Sequence, residues 1–216
     1  RNWLNSLYDK ILLGDIIQRN KVKNENALRL TMKRLAENVM QPISYNRIAN
    51  VIRTTGTSIA VSSVSDYVRY AVDACMIFSL ENYASKFVEK ETVKKHYFVD
   101  NGLLSIFLLD GNTALLENLC AIHLHKKYGD KLYFYNKNIE VDFLIVDEGY
   151  AVQVSYSIYG DGKQETFDRE TKALVQLDKY LSLNRMIIVT YDEDGVVTLD
   201  NGKQIEVIPV WKWLLE

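Results

Sequence analysis

The 216-residue sequence has two cysteines, two prolines and no long hydrophobic run. Cys75 and Cys120 lie far apart without a CxxC or Cys/His pattern, so we expect buried thiols rather than a disulfide framework or a zinc site. No apolar stretch approaches the roughly 20 residues of a membrane-spanning helix, and the first residues show no signal-peptide pattern. We therefore expect a cytoplasmic protein that has no membrane partner.

The formal net charge of −2 hides a difference between the two halves of the chain. Residues 1–110 contain 15 Lys and Arg against 11 Asp and Glu, which leaves 11 against 17 for residues 111–216. A mildly basic first half is able to meet a polyanion, whereas an acidic second half repels one unless cations intervene. The chain also begins at Arg1, without Met and inside a helical pattern, so we expect a piece of a longer protein.

Residues 1–110 are predicted to form a helical domain. Apolar residues at helical spacing indicate a pair of helices between residues 3 and 40. Ser44 is placed to cap a third helix, and Ser62 or Ser63 is placed to cap a fourth, whose apolar stripe is Val64, Val68, Ala71, Val72 and Cys75. Two short helices around a polar turn make a helix-turn-helix pattern, and the β-type runs that follow are typical of a wing. An ordinary helical subdomain with a β-hairpin explains the pattern about as well.

In this first domain, the candidate nucleic-acid contacts are Arg47, Arg53, Tyr67 and Arg69, on or beside the two short helices. Asp66 and Asp73 on the second of these helices make its surface less attractive to DNA. Packing against another domain is the competing role for the same helices.

A domain boundary is predicted near residue 110, where Asp110-Gly111-Asn112 breaks the pattern. The second domain, residues 111–216, is predicted to alternate helices and strands: helix 113–128, strands 131–136, 140–147 and 150–156, helix 165–182, strand 185–191 and a last hairpin around Asn201-Gly202. This order indicates an α+β or α/β fold with a mixed sheet, in which an antiparallel meander is followed by one crossover.

The hairpin in this second domain contains the candidate site. Side chains alternate along strands, so a register that pairs residue 142 with residue 153 gathers Asp142, Gln153 and Ser155 on one face. Glu117, on the preceding helix, is a further candidate member. Rigidly held oxygen ligands of this kind suit Mg²⁺, which would polarise a phosphate and acidify an attacking water. Taken by itself, a Glu in the first turn of a helix, such as Glu117, more often complements the helix dipole than binds a metal.

The segment Asn138–Ser157, with Glu117 upstream, resembles the restriction-endonuclease-like PD-(D/E)xK fold, and Glu140-Val141-Asp142 is similar to the Glu-Val-Asp of archaeal junction resolvases. The similarity extends along the chain. Four further stretches resemble the C-terminal part of a family of bacterial and archaeal AAA-type ATPases, in which a winged helix precedes a nuclease-like domain of uncharacterised function (DUF4143); they are Leu7–Leu13, Ser44–Asn50, Tyr97–Leu103 and Val207–Leu215.

The resemblance implies that Glu117, Asp142 and Gln153 are the metal-ligand positions, and that Ser155 stands where the family has its catalytic lysine. Ser155 cannot carry positive charge. Lys163 and Lys172 are the alternative cations that the sequence offers. The implied function is a DNA-associated or regulatory module of an AAA-type ATPase with a decayed, inactive nuclease-like site.

Two other functions stay open at this point: an active Mg²⁺-dependent DNA endonuclease, and a protein-interaction module that organises the ATPase. The sequence is therefore compatible both with an enzyme and with a protein that has no catalytic activity. It contains no GxxxxGK[ST] phosphate loop. We accordingly expect no ATP in this fragment, and we expect the ATPase domain to be a missing N-terminal part of the same polypeptide.

Overall fold

A computed structural model describes residues 1–216 and divides the chain into two compact units. The first unit comprises residues 1–79 and 87–111, and the second comprises residues 80–86 and 112–216. The second unit thus includes a short segment from within the predicted first domain. None of the helices combines the length and the apolar composition that crossing a membrane requires.

Six helices and three short strands make up most of the first unit. The helices are α1 (Asn2–Lys10), which continues as a π-helical segment (Ile11–Gln18), α2 (Glu25–Glu37), α3 (Tyr45–Thr54), α4 (Val61–Asp73), α5 (Phe87–Thr92) and α6 (Asn101–Ser105). The strands are β1 (Ile43–Ser44), β2 (Ile77–Asn82), whose last residues belong to the second unit, and β3 (Val93–Phe98). β3 lies between β1 and β2, and it pairs antiparallel with β1.

Side-chain caps account for several helix starts in this unit. Ser44 accepts a hydrogen bond from the Arg47 amide at 3.2 Å, which confirms the predicted cap of α3. Asp100 caps α6 in the same way through the Leu103 amide. The predicted serine cap of α4 is wrong: this helix begins at Val61, and its N-cap, Ala60, has no side-chain hydrogen bond.

The predicted buried stripe of α4 is right at Val64, Val68 and Ala71 but wrong at Val72, which lies in the helix with 39% of its surface exposed, and at Cys75. Cys75 follows the end of the helix in a left-handed conformation, with φ of 53°, and its side chain is exposed. A residue that leaves the helix no longer follows the helical spacing on which its predicted burial depended. The expectation of a buried thiol is therefore confirmed for Cys120 only.

The second unit is a mixed sheet with helices. Its helices are α7 (Asn112–Tyr128), α8 (Gln164–Leu181) and α9 (Val210–Trp213), with short 3₁₀ turns at Gly129–Lys131 and Val146–Glu148. Its strands are β4 (Tyr133–Asn136), β5 (Glu140–Ile145), β6 (Tyr150–Val154), β7 (Arg185–Thr190), β8 (Gly195–Thr198) and β9 (Gln204–Pro209). The order across the sheet is the end of β2, then β4, β5, β6, β7, β9 and β8.

The strand directions confirm the predicted α+β class with a mixed sheet. β4, β5 and β6 form an antiparallel meander, and α8 then crosses over to β7, which pairs parallel with β6. β9 also runs parallel to β7, and β8 pairs antiparallel with β9 as the predicted last hairpin. Successive residues of β5, such as Phe143 and Leu144, are fully buried. Because they point to opposite faces, both faces of the sheet are covered at this strand.

The turn between β5 and β6 depends on Gly149. Its φ is +60°, a left-handed conformation that costs glycine little. A Cβ at this position would lie 2.9 Å from Nδ2 and 3.1 Å from the backbone nitrogen of Asn184. Gly149 therefore permits both the turn and the close approach of the segment that leads into β7, and it helps set the register of the hairpin.

Candidate functional site at the end of the β5 and β6 ladder

The backbone ladder between β5 and β6 stops where the candidate site begins. The last backbone pair is Phe143 with Val152, so the next pair would be Asp142 with Gln153, as the predicted register requires. There, side chains replace the backbone bonds. Oδ2 of Asp142 accepts from the Val154 amide at 3.0 Å, and Oε1 of Gln153 accepts from the Asp142 amide at 2.8 Å. The two predicted residues thus close the ladder reciprocally.

Gln153 is buried and uses both ends of its carboxamide. Besides the bond to Asp142, its Nε2 donates to the Glu140 carbonyl at 3.1 Å and to Oε2 of Glu170 at 2.8 Å. Buried polar groups are costly unless hydrogen-bonded, and these three bonds compensate the burial. Gln153 therefore links β5, β6 and α8 rather than pointing into open solvent.

Glu170 on α8 brings a further carboxylate and a cation to the cluster. It is only 5% exposed, and its Oε1 accepts from Nη2 and Nε of Arg169 at 2.6 and 3.1 Å. Burial raises the pKa of Glu170, the Arg169 guanidinium lowers it, and the charges of Asp142 and Glu140 raise it again. Three carboxylates and one guanidinium consequently interact at this point.

Glu117 and Asp142 both act electrostatically on the thiol of Cys120. Glu117, on α7, is buried, as is Cys120 one turn further along the same helix. Burial raises the pKa of the Cys120 thiol well above its usual value, and the negative charges of Glu117 and Asp142 raise it further. The predicted helix acid and strand acid thus belong to one electrostatic neighbourhood.

Ser155 occupies the position where the resemblance expects a lysine. It is buried, its amide donates to the Val189 carbonyl at 3.0 Å, and its hydroxyl donates to the Ser157 carbonyl at 3.2 Å. The residue thus has a local role in the loop that leaves β6. The guanidinium at the cluster comes from Arg169, while the two lysines considered from sequence, Lys163 and Lys172, are exposed.

Glu170 was not among the predicted site residues, although the sequence contains a signal for it. Glu170 lies on the buried stripe of α8, with Ala173, Leu174 and Leu177 at helical spacing. An acid on an apolar stripe must find hydrogen-bond donors inside the fold. Arg169 is adjacent to it in sequence, and this acid-cation pair is the feature that points to the cluster.

Part of the donor set that a divalent cation would use is already engaged within the fold. Mg²⁺ demands near-octahedral oxygen coordination, but an oxygen of Asp142 and the one oxygen of the Gln153 side chain accept from backbone amides. The structure brings together no group of three His, Cys, Asp or Glu residues that suits a metal ion. A metal site at Glu117, Asp142 and Gln153 stays a prediction.

Two of the predicted nucleic-acid residues in the first unit are on its surface. Arg47, in the first turn of α3, is exposed. Arg69 on α4 is exposed, pairs with Asp66 at 3.0 Å and lies over the ring of Tyr70 at 4.7 Å. Both guanidinium groups are accessible to solvent, and the Asp66 carboxylate partly offsets the charge of Arg69.

The other two residues of that set have structural contacts. Arg53 donates through Nε and Nη2 to the Ile59 carbonyl at 3.0 and 2.8 Å, and through Nη1 to Asn50 at 2.9 Å. The Tyr67 ring is 8% exposed, and its hydroxyl donates to the Asn24 carbonyl at 3.4 Å. A buried ring cannot stack on a base, so the expected role of Tyr67 does not match its position.

The fold and the cluster define a two-unit α+β protein whose second unit holds a hydrogen-bonded acidic cluster where two central strands part. The chain belongs to the family described as domain of unknown function DUF8612, whose family model matches residues 1–114. That match covers the first unit and the first residues of α7.

Two curated relatives match nearly the whole chain. An uncharacterised protein of Methanocaldococcus jannaschii, MJ1544, is 30% identical over 223 residues, which cover 98% of this chain and 49% of that protein. An uncharacterised protein of Haemophilus influenzae is 28% identical over 220 residues, covering 99% of this chain and 52% of that protein. The chain thus spans about half the length of the curated relatives it matches. No solved structure gives a significant match.

Proposed function

We propose that this chain is a DNA-associated or regulatory module of a longer AAA-type ATPase, and that its second unit is a nuclease-like domain that does not cleave. The resemblance of the hairpin and of the four further stretches supports this assignment. Both curated relatives extend well beyond the matched region, which leaves room for an ATPase core in those proteins.

A winged helix is the proposed architecture of the first unit. Its support is the order of elements: α2, α3 and α4, with β1 ahead of α3 and with β2 and β3 after α4. β3 lies between β1 and β2, as expected for a wing that returns to the helices. α5, which lies between β2 and β3, is an addition to that simple pattern.

The observation that carries the absence of cleavage is the arrangement of Gln153. Its carboxamide is bound by Asp142, Glu140 and Glu170 together, so the second-strand ligand position serves to hold the fold. Metal-assisted hydrolysis needs an ion that polarises the phosphate and a group that stabilises the developing charge. Ser155 carries no charge, and its hydroxyl donates to a carbonyl in its own loop.

A cleavage assay tests this proposal directly. The chain is incubated with supercoiled plasmid and with branched DNA in Mg²⁺ or Mn²⁺, and nicked and linear products are followed on gels. We expect no product above the background of the Asp142→Ala variant. Metal-dependent cutting that disappears in Asp142→Ala would establish the rival function, an active endonuclease.

Salt-dependent gel shifts test the association with DNA. Each lysine or arginine that contacts a phosphate steepens the salt dependence of binding by about 0.9 in a logarithmic plot. We therefore expect the double variant Arg47→Ala, Arg69→Ala to reduce that slope by about 2, and Lys179→Ala, an exposed lysine of α8, to leave it unchanged. If the native chain gives no shift even at low salt, the protein-interaction function replaces the DNA-associated one.

A further inference from the structure

The acidic cluster of the second unit brings several negative charges near one another. Glu140 and Asp142 share β5, and both raise the pKa of Glu170 from across the hydrogen-bonded network. Glu170 is buried, so nearby negative charges repel it, and proteins relieve such repulsion with a proton, a metal ion or a cationic side chain. A measurement of metal binding to the chain tests whether a cationic side chain already neutralises the cluster.

Arg169 supplies a cation at this place. Two of its N–H groups, on Nη2 and Nε, meet one oxygen of Glu170, and the other oxygen of that carboxylate accepts from Gln153. Gln153 in turn holds the Asp142 amide. A continuous series of hydrogen bonds therefore runs from the guanidinium to the point where β5 and β6 separate.

The charge of Arg169 also reaches beyond its direct partner. Asp142 and Glu140 both raise the pKa of Arg169, after the larger effect of Glu170; because the Arg169 side chain is 71% exposed, solvent screens these two longer-range effects. An arginine is never deprotonated in proteins, and it is more weakly hydrated than an ammonium group. It can remain beside the cluster at any physiological pH, whereas a bound Mg²⁺ must first lose tightly held water.

We propose that Arg169 is the resident counter-cation of the cluster formed by Glu140, Asp142 and Glu170, and that it takes the place of a divalent metal there. Arg169 is then a positioning residue: it holds Oε1 of Glu170 while Oε2 stays bound to Gln153, and its charge disfavours a second cation. The inference deepens the proposed function and rests on it, because it gives a reason why a nuclease-like site would hold no metal.

Metal binding measured without any DNA tests this inference. Mn²⁺ is titrated into the native chain, Arg169→Met and Lys172→Met, and the free ion is followed by electron paramagnetic resonance. Methionine retains much of the aliphatic stem, and Lys172 is an exposed lysine on the same helix. We expect Arg169→Met to bind Mn²⁺ at least about tenfold more tightly than the native chain, which corresponds to about 1.4 kcal/mol, and Lys172→Met to behave as the native chain does.

Three further variants locate the effect and separate it from general damage. Adding Asp142→Asn to Arg169→Met should abolish the gain in Mn²⁺ binding, and Arg169→Lys, which keeps the charge, should not show it. Circular dichroism checks that each variant is folded. If Arg169→Met does not fold, Arg169→Gln takes its place, since its amide can still donate to Glu170.

Equal Mn²⁺ binding by the native chain and the folded Arg169 variant, whether tight in both or undetectable in both, would overturn the inference. The proposed function fails on a different observation, namely cutting of DNA by the native chain. Tight Mn²⁺ binding by a native chain that leaves DNA intact would therefore refute the role of Arg169 alone.

Discussion

The candidate residues on the helices of the first unit and those on the β5–β6 hairpin of the second unit were brought together to different degrees. In the second unit, Asp142 and Gln153 are bonded to one another's strands. In the first unit, Arg47 and Arg69 are exposed, while Arg53 holds a turn and Tyr67 is in the core. Strand pairing brought Asp142 and Gln153 together, whereas the candidate residues on the helices make separate contacts.

The difference follows from the geometry of the two kinds of element. A tight turn sets the register of a hairpin, so two residues equidistant from that turn must face each other. On a helix, the spacing only decides which side a residue faces, and an arginine then bonds to whatever acceptor is within reach of its long side chain. Strand-borne sites can therefore be predicted from local sequence more completely than helix-borne ones.

Replacing Gln153 with Leu should have the largest effect among the substitutions considered for stability. It leaves the Asp142 amide and the Glu170 carboxylate without this partner in a buried place, at about 3 kcal/mol of unfolding free energy. Urea unfolding followed by circular dichroism measures the change. The control is Gln204→Leu, because Gln204 is exposed on β9. Equal stability of both variants would mean that the carboxamide bridge does not hold the second unit together.

His96 offers a matched test in the first unit, where a buried polar side chain is only half satisfied. Its Nδ1 meets the Ser79 hydroxyl at 2.8 Å, while Nε2 is buried without a partner. Burial, helped by Lys94, lowers the pKa of His96 to about 3. The unfolded chain therefore takes up the proton first, so stability is fully present above about pH 6.5 and falls as the pH drops toward 3.

The variant His96→Gln should remove that dependence. We expect the slope of unfolding free energy against pH, between pH 6 and 4, to decrease by up to about 1.4 kcal/mol per pH unit. The control is His123→Gln, because burial lowers the pKa of that partly exposed histidine as well and a smaller change is expected. An unchanged slope in His96→Gln would show that this histidine titrates alike in the folded and unfolded chain.

Within the helix-borne set, Arg53→Met should destabilise the first unit by about 1 kcal/mol, since it removes the hydrogen bonds to the Ile59 carbonyl. Thermal unfolding of the isolated chain detects a change of this size. If Arg53→Met left stability unchanged but weakened DNA binding, Arg53 would belong with the exposed arginines.

Arg69→Met should have the smallest effect, with no measurable loss of stability, because an exposed ion pair contributes little to stability. The pair with Asp66 is between residues three apart on an exposed helix face. The same thermal unfolding measurement applies. A loss as large as that of Arg53→Met would remove the distinction between surface and structural arginines in this unit.

The elements of the second unit were largely predictable from sequence. α7, β5, β6 and α8 lie within about two residues of the predicted bounds, the usual uncertainty of such boundaries. These features depend on periodicity and on turn residues, which act over a few neighbours along the chain. The first unit was less predictable: α5 lies within the predicted wing, and Cys75 lies beyond the end of its helix.

The sequence by itself determined the alternation of β5 and β6, the turn at Gly149 and hence the meeting of Asp142 with Gln153. Only the tertiary structure decided that Glu170 and Arg169, seventeen and sixteen positions beyond Gln153, would complete the cluster. Local rules specify the faces of a helix but not the strand on which it packs. Contacts between distant elements arise when the whole apolar surface is buried at once, and the charge balance of the cluster is a product of that packing.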